Sequence, residues 1–317
     1  MMDNKKKTIV KVIVVATALI LITIIEAYAQ LNPLSSIYYQ NEYLINPALV
    51  GEDQRTNFNF SLKKQWINTE GSPSMQAISV DYGLSEKTGI GISITNEKAG
   101  LIQRSKALAS FAYRLPVSYN EDILSVGMGA GIYYEALDWE KFKGDNTDLS
   151  FANFNNRPAY LDADIGIAYQ NDGLKLQVAI PNVKRFLVRD LKRSIINRST
   201  FYSSISYRYT YDYSEWFDFI EGRAAYRGVE GYKGIFDIGL NINFLGGDLI
   251  LNSMYHSSKS ITIGGGTIIN KSLQMILYYS TGTSMIQNYN NGEFEIGIKY
   301  SIFGSRGYES GANKDRF

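Results

Sequence analysis

The chain has 317 residues, 45% of them hydrophobic, with 28 glycines, 24 tyrosines, 15 phenylalanines, one histidine and no cysteine. The missing cysteines exclude disulfides, thiolate metal sites, a cysteine nucleophile and a lipid-bearing cysteine, and His256 alone cannot build a multi-histidine metal site. The balance of 32 basic against 31 acidic residues gives no electrostatic case for nucleic acid, so none is expected as a partner.

Residues 1–29 read as a cleaved secretory signal peptide. Lys5, Lys6 and Lys7 make a positive start, Val12 to Ile25 is an uncharged apolar run, and Ala27-Tyr28-Ala29 is a small-residue cleavage site. The run is short for a span of about 20 residues, which favours cleavage over a retained anchor. The mature chain therefore leaves the cytoplasm.

From Thr56 onward the pattern is alternation. Gly89-Ile90-Gly91-Ile92-Ser93-Ile94-Thr95, Phe236 to Phe244 and Phe294 to Ile302 each put apolar residues on one face and Gly, Ser, Asn or charged residues on the other. Period two over such lengths means strands. Fourteen segments fit, near 56–67, 74–81, 88–97, 104–115, 123–134, 158–170, 174–181, 199–210, 217–226, 235–245, 249–256, 260–269, 273–280 and 292–303. The ninth alternates least cleanly. Ile92, Leu240 and Ile298 are expected to point outward, and Gly91, Asn241 and Lys299 inward.

Connections sort by parity. Asn171-Asp172-Gly173, Gly246-Gly247-Asp248 and Asn270-Lys271-Ser272 are tight-turn sequences, whereas the other parity contains Glu135 to Arg157, Asn182 to Arg198 and Thr281 to Asn291. Short turns at one end and long loops at the other are the habit of outer-membrane barrels, and a soluble sandwich has no reason to show it. Aromatic residues near strand ends, among them Trp66, Tyr113, Tyr133, Tyr134, Tyr169, Tyr207 and Tyr209, suit interfacial girdles. The expected fold is all-β, a transmembrane antiparallel barrel of about 14 strands in the cell outer membrane. The expected division is a signal peptide at 1–29, an N-terminal periplasmic lead-in at 30–55, the barrel at 56–303 and a polar periplasmic tail at 304–317. An even strand number places both mature termini in the periplasm.

Asn46-Pro47-Ala48-Leu49-Val50-Gly51, then Gln65-Trp66 with Gly71-Ser72-Pro73 and Asp81, and finally Tyr278-Tyr279-Ser280 with Gly292-Glu293-Phe294-Glu295-Ile296 resemble, in order and spacing, elements of the PorP/SprF family. Three positions depart from it: Glu42 stands where a proline of an earlier Asn-Pro pair is expected, Ser280 is not followed by the family's aspartate, and Phe294 replaces a histidine. The resemblance implies an outer-membrane component of type IX secretion and gliding machinery. It marks Asn46, Pro47, Ala48, Gly51, Gln65, Trp66, Pro73, Asp81, Gly292 and Glu295 as motif residues with structural or docking roles. It also implies secreted cargo or an adhesin, a periplasmic secretion ring and peptidoglycan-associated proteins as partners, beside outer-membrane lipid.

Catalytic signals are thin. His256 precedes Ser257 and Ser258, but a lone histidine at a strand end is more commonly a solvated side chain than a base. No G-x-S-x-G, H-E-x-x-H or P-loop pattern occurs, and Asp145, Asn146, Asp148 and Asn155 lack calcium-loop spacing. No catalytic, metal or cofactor residues are assigned, and none of these groups is expected. Lys184, Arg185, Arg189, Lys192, Arg193 and Arg198 make the 182–198 connection basic, suiting either anionic head groups or simple solvation. Asp162, Asp164, Lys175, Asp237, Glu295 and Lys299 oppose apolar positions and are expected to face the lumen as mixed-sign pairs. The leading function is a non-enzymatic barrel that aids secretion or surface attachment of cargo. A passive porin or hydrophobic-solute transporter is the alternative, and a barrel enzyme using His256 the third.

Overall fold

The computed structural model describes residues 34–65, 71–118, 122–138, 158–184, 199–211, 214, 216–229, 234–281 and 292–302. Fourteen strands form one closed antiparallel barrel: β1 (Thr56–Gln65), β2 (Ser74–Gly83), β3 (Thr88–Ala99), β4 (Ile102–Pro116), β5 (Ile123–Leu137), β6 (Tyr160–Asn171), β7 (Leu174–Ile180), β8 (Ser199–Thr210), β9 (Phe217–Val229), β10 (Ile235–Phe244), β11 (Leu249–His256), β12 (Ser260–Ile269), β13 (Leu273–Ser280) and β14 (Glu293–Ile302). Each strand pairs with its neighbours in sequence. The seam closes where Thr56 lies opposite Tyr82 on one side and Ile302 on the other.

Burial along the strands is reversed relative to a soluble protein. In β1, Asn57, Asn59, Ser61, Lys63 and Gln65 are buried, whereas Phe58 is 42% exposed and Phe60 and Leu62 stand out beside it. Water would not favour that arrangement. A bilayer does, because it solvates the apolar face while the polar side chains pair inside. Ile92 and Leu240 are exposed on the outer wall and Asn241 is buried within, as the alternation predicts.

All fourteen expected strands are present. The largest extensions are at β4, β5 and β9, each three residues longer than the sequence pattern reached. β9 alternates poorly because its inward face carries Glu221, Arg223, Ala225 and Arg227 while its outward face includes the small Gly222 and Ala224. Its pairing with β10 also slips at Asn243 and Phe244.

Connections 66–73, 100–101, 138–159, 181–198, 230–234, 257–259 and 281–292 lie at one end of the barrel, which has the four longest, and 84–87, 117–122, 172–173, 211–216, 245–248 and 270–272 at the other. Asn270 (φ 51°) and Lys271 (φ 56°) both adopt left-handed backbone in the tight 270–272 turn, where the Ser272 N–H donates back to the Ile269 carbonyl. Strand β1 starts and strand β14 finishes at the short-connection end.

Candidate functional site: an N-terminal segment inside the barrel

Residues 34–50, expected as a lead-in ahead of β1, lie inside the lumen. Helix α1 (Ser36–Tyr39) and two single-turn 3₁₀ pieces, Glu42–Leu44 and Pro47–Leu49, carry the segment across the interior. Leu34, Ile37 and Tyr38 cluster with Ala179, Tyr202, Ala225 and Met254 in the half nearer the long connections. Val50 packs with Tyr43 and Ala112 towards the short-connection end, where the chain joins β1.

The wall is shaped for this segment. A Cβ on Gly127 would lie 2.3 Å from the backbone of Pro47 and Ala48, one on Gly166 2.0 Å from Asn46 Oδ1, and one on Gly89 2.0 Å from the Val50 carbonyl. These inward glycines do not fill the lumen. They leave it open for another backbone to approach.

Electrostatics complete the seat. Arg223 donates from Nη1 to Glu42 Oε2 at 2.8 Å and from Nη2 to Glu42 Oε1 at 3.0 Å, Lys175 Nζ lies 3.3 Å from the same carboxylate, and Gln177 donates to it. Burial opposes ionisation of Glu42, but the Arg223 and Lys175 charges outweigh it and hold the carboxyl down to about 2. The folded value lies below that of a free glutamate, so the contribution to seating is complete above about pH 4.3. It is lost as pH falls towards about 2. Protease cleavage between residues 34 and 50 is therefore expected to be slow from neutral pH down to that upper limit and to rise below it, measured with an acid-active protease.

Tyr38 is pushed well above the ordinary phenol range by burial, with the nearby Asp237 charge adding to this and Arg227 opposing it. It therefore stays protonated and donates to Asp237 Oδ2 at 2.6 Å. Asp237 also accepts from Arg227 Nε at 2.7 Å.

The motif residues fall into two groups. Asn46, Pro47, Ala48, Gly51, Asp81 and Glu295 build the segment and its seat. Asn46 Oδ1 accepts from the Ala48 N–H at 3.0 Å, capping the turn that Pro47 opens, and its amide donates to the Ile167 carbonyl at 3.3 Å. Gly51 (φ 61°) donates its N–H to Asp81, and Glu295 accepts from the N–H groups of Ser35 and Ser36 at 2.6 and 2.9 Å. Gln65, Pro73 and Gly292 sit instead near the long-connection ends of β1, β2 and β14, with the Gln65 N–H donating to the Pro73 carbonyl. Trp66 lies outside the described residues, as do residues 139–157 and 185–198.

Asn46 and Ala48 are fully buried. The side chains of this motif are spent on the barrel wall and on its own turn. Asn46→Ala should cost about 0.5–2 kcal/mol of segment seating, the usual loss of a capping side chain. Faster amide exchange of the Ala48 N–H, with exchange in the strands unchanged, is the expected reading.

His256 is buried, with Nδ1 2.6 Å from Asp237 Oδ1 and Nε2 2.9 Å from Thr262 Oγ1; it does not engage Ser257 or Ser258. Asp162, Asp164, Asp237 and Glu295 are buried in the lumen, and Lys175 and Lys299 are partly buried there in ion pairs with Glu42 and Asp53. Arg223, Gln177, Gly127 and Gly166 drew no attention in the sequence, and Glu42 stood out only as a departure from the family pattern. The available signal was glycine recurring on the polar face of β3, β5 and β6, where a strand would otherwise carry side chains.

A closed barrel with an apolar outer wall and a polar, occupied interior defines a transmembrane β-barrel of outer-membrane type. More particularly, the chain belongs to the type IX secretion system membrane protein family PorP/SprF, which matches residues 27–300. No curated protein sequence matches it. Among solved structures it is similar to the Acinetobacter baumannii outer membrane protein Omp33, with 7% identity, 78% of this chain and 99% of that one covered, and a TM-score of 0.46. It is also similar to the KdgM porin at 8% identity, with the same coverage and a TM-score of 0.37.

Proposed function

We propose that this barrel is a non-enzymatic component of the type IX secretion and gliding machinery that helps secreted cargo, such as an adhesin, reach or stay on the cell surface. Family membership over residues 27–300 carries this reading. The N-terminal segment seated in the lumen supports it against the porin alternative, because it stands in the path that a passive channel needs open. The burial of His256 between Asp237 and Thr262 favours a role in packing. In this reading residues 1–29 are removed on export, both mature termini belong to the periplasmic side, and the partners are cargo, a periplasmic secretion ring and peptidoglycan-associated proteins.

The test is a deletion strain. Loss of surface proteins with unchanged solute permeability is expected, and pull-down from outer membranes should recover the periplasmic partners. Normal surface display together with altered permeability would move the porin reading to first place. Orientation is checked separately. Epitope tags at residues 146 and 290 should be reached by antibody on intact cells, and a tag at Gly247, on a short connection, should not. Labelling of the Gly247 tag alone would reverse the orientation.

A further inference from the structure

We propose that Arg223, Lys175 and Gln177 form a carboxylate receptor in the lumen wall for an acidic segment of a partner polypeptide, and that Glu42 is its intramolecular occupant. The inference rests on the proposed function, which brings polypeptide to this barrel.

The site is built by the wall. Arg223 spends two guanidinium nitrogens on one carboxylate in a forked pair, Lys175 and Gln177 add a donor each, and the Arg223 side chain is 1% exposed. A planar fork matches a carboxylate in geometry as well as charge. Arg223 lies 5.2 Å from the Tyr39 ring centroid, so an aromatic residue three positions before the acid is accommodated too. Arg223 Nε is buried without an acceptor, a donor that Glu42 leaves unused.

Charge selects the ligand. Glu221 already pairs with Arg223 and with Arg208, each at 2.8 Å, and Glu52 with Lys175 at 3.0 Å, so three cations face two acids and one positive charge is left over. One further monoanion is what the cluster takes. A phosphate dianion would bring a second negative charge into a buried site and is disfavoured.

The geometry also permits exchange. The backbone hydrogen bonds of residues 34–50 are mostly local turns, and the segment forms no ladder with any strand. It is held by side chains and by the Ser35 and Ser36 N–H groups donating to Glu295, with the Gly51 N–H just beyond it donating to Asp81. Access is from the short-connection end, where the Lys175 side chain is 17% and that of Glu52 34% exposed. A partner's acidic residue arriving there meets Lys175 first and Arg223 behind it.

The full-length protein in detergent is titrated with a fluorescein-labelled peptide of residues 36–45 and with the same peptide carrying Gln in place of Glu42. Wild type, with its own Glu42 seated, should bind both weakly. Glu42→Ala should bind the acidic peptide about tenfold to a hundredfold more tightly than the Gln peptide, the value of a charged hydrogen-bond set. Added acetate should raise the melting temperature of Glu42→Ala, and chloride at equal ionic strength should not. If that variant fails the heat-modifiable mobility check for folding, Glu42→Gln, which keeps the volume without the charge, takes its place in the peptide titration. Equal binding of the two peptides, or a melting temperature indifferent to acetate, overturns the receptor. A deletion strain with normal surface display would overturn the proposed function and leave these titrations standing, so the two failures are distinguishable.

Discussion

Gly127→Leu should convert a silent barrel into a conducting one, whereas Ala130→Leu on the same strand should leave it silent. At Gly127 even a Cβ would fall 2.3 Å from the Pro47 and Ala48 backbone, and a leucine would need several more atoms in the same space. Overpacking a well-filled core costs about 1–3 kcal/mol when neighbours can adjust. Here the two sides differ in what they can do. The wall at Gly127 is fixed by pairing with Ala112 on β4 and Gly166 on β6. The N-terminal segment has no strand pairing and is tethered to the barrel through β1, so the segment is the side that moves. Ala130 faces outward, where a larger apolar side chain displaces only lipid. Eight-stranded barrels are filled by their own side chains and barrels of 16–18 strands hold an aqueous channel, so fourteen strands without the segment should pass ions. Single-channel recording in planar bilayers reads the difference, with heat-modifiable mobility confirming closure of the barrel. A folded Gly127→Leu barrel that stays silent would show that the segment does not close the lumen.

The strands were legible because a lipid-facing wall imposes strict alternation: Phe58, Phe60 and Leu62 must point out and Asn57, Asn59 and Ser61 must point in. Where both faces relax that demand, as at Gly222, Arg223 and Ala224 of β9, the period weakens and the strand's end is misjudged. The segment inside the lumen left no such trace. Its surroundings are polar and apolar by turns, so Ile37, Tyr38, Gln40, Asn41 and Asn46 are all buried without any period. Helical turns of three or four residues are too short to show one. The sequence pattern recognised Asn46-Pro47-Ala48 as a motif but placed it at the entrance to β1. Its register with Gly127 and Gly166 depends on the barrel closing around it, and a linear reading does not contain that. Glu42, a departure from the family resemblance, became informative only when β7 and β9 brought Lys175 and Arg223 to meet it.

Leu240→Arg should cost about 2–4 kcal/mol of barrel stability, and Leu249→Arg only about 0–1 kcal/mol, although both replace an exposed leucine. Leu240 lies in the middle of β10 and is 48% exposed; Leu249 opens β11 at the short-connection end and is 42% exposed. In water these two positions would respond alike, since an arginine on an exposed strand surface is solvated at either place. In a bilayer they differ by depth. At the midplane the guanidinium must drag water or head groups inward, whereas near the strand end the same side chain reaches the interface by extending. Neither substitution touches the seat of the N-terminal segment, because both side chains project from the outer wall. The effect therefore reports the surrounding medium and not the contents of the lumen. Reversible refolding into lipid vesicles, with both variants compared to wild type under the same denaturant series, gives the two values. Equal costs at the two positions would sink the assignment of this wall to the hydrocarbon band. A larger cost at Leu240 would place the midplane across the centre of β10.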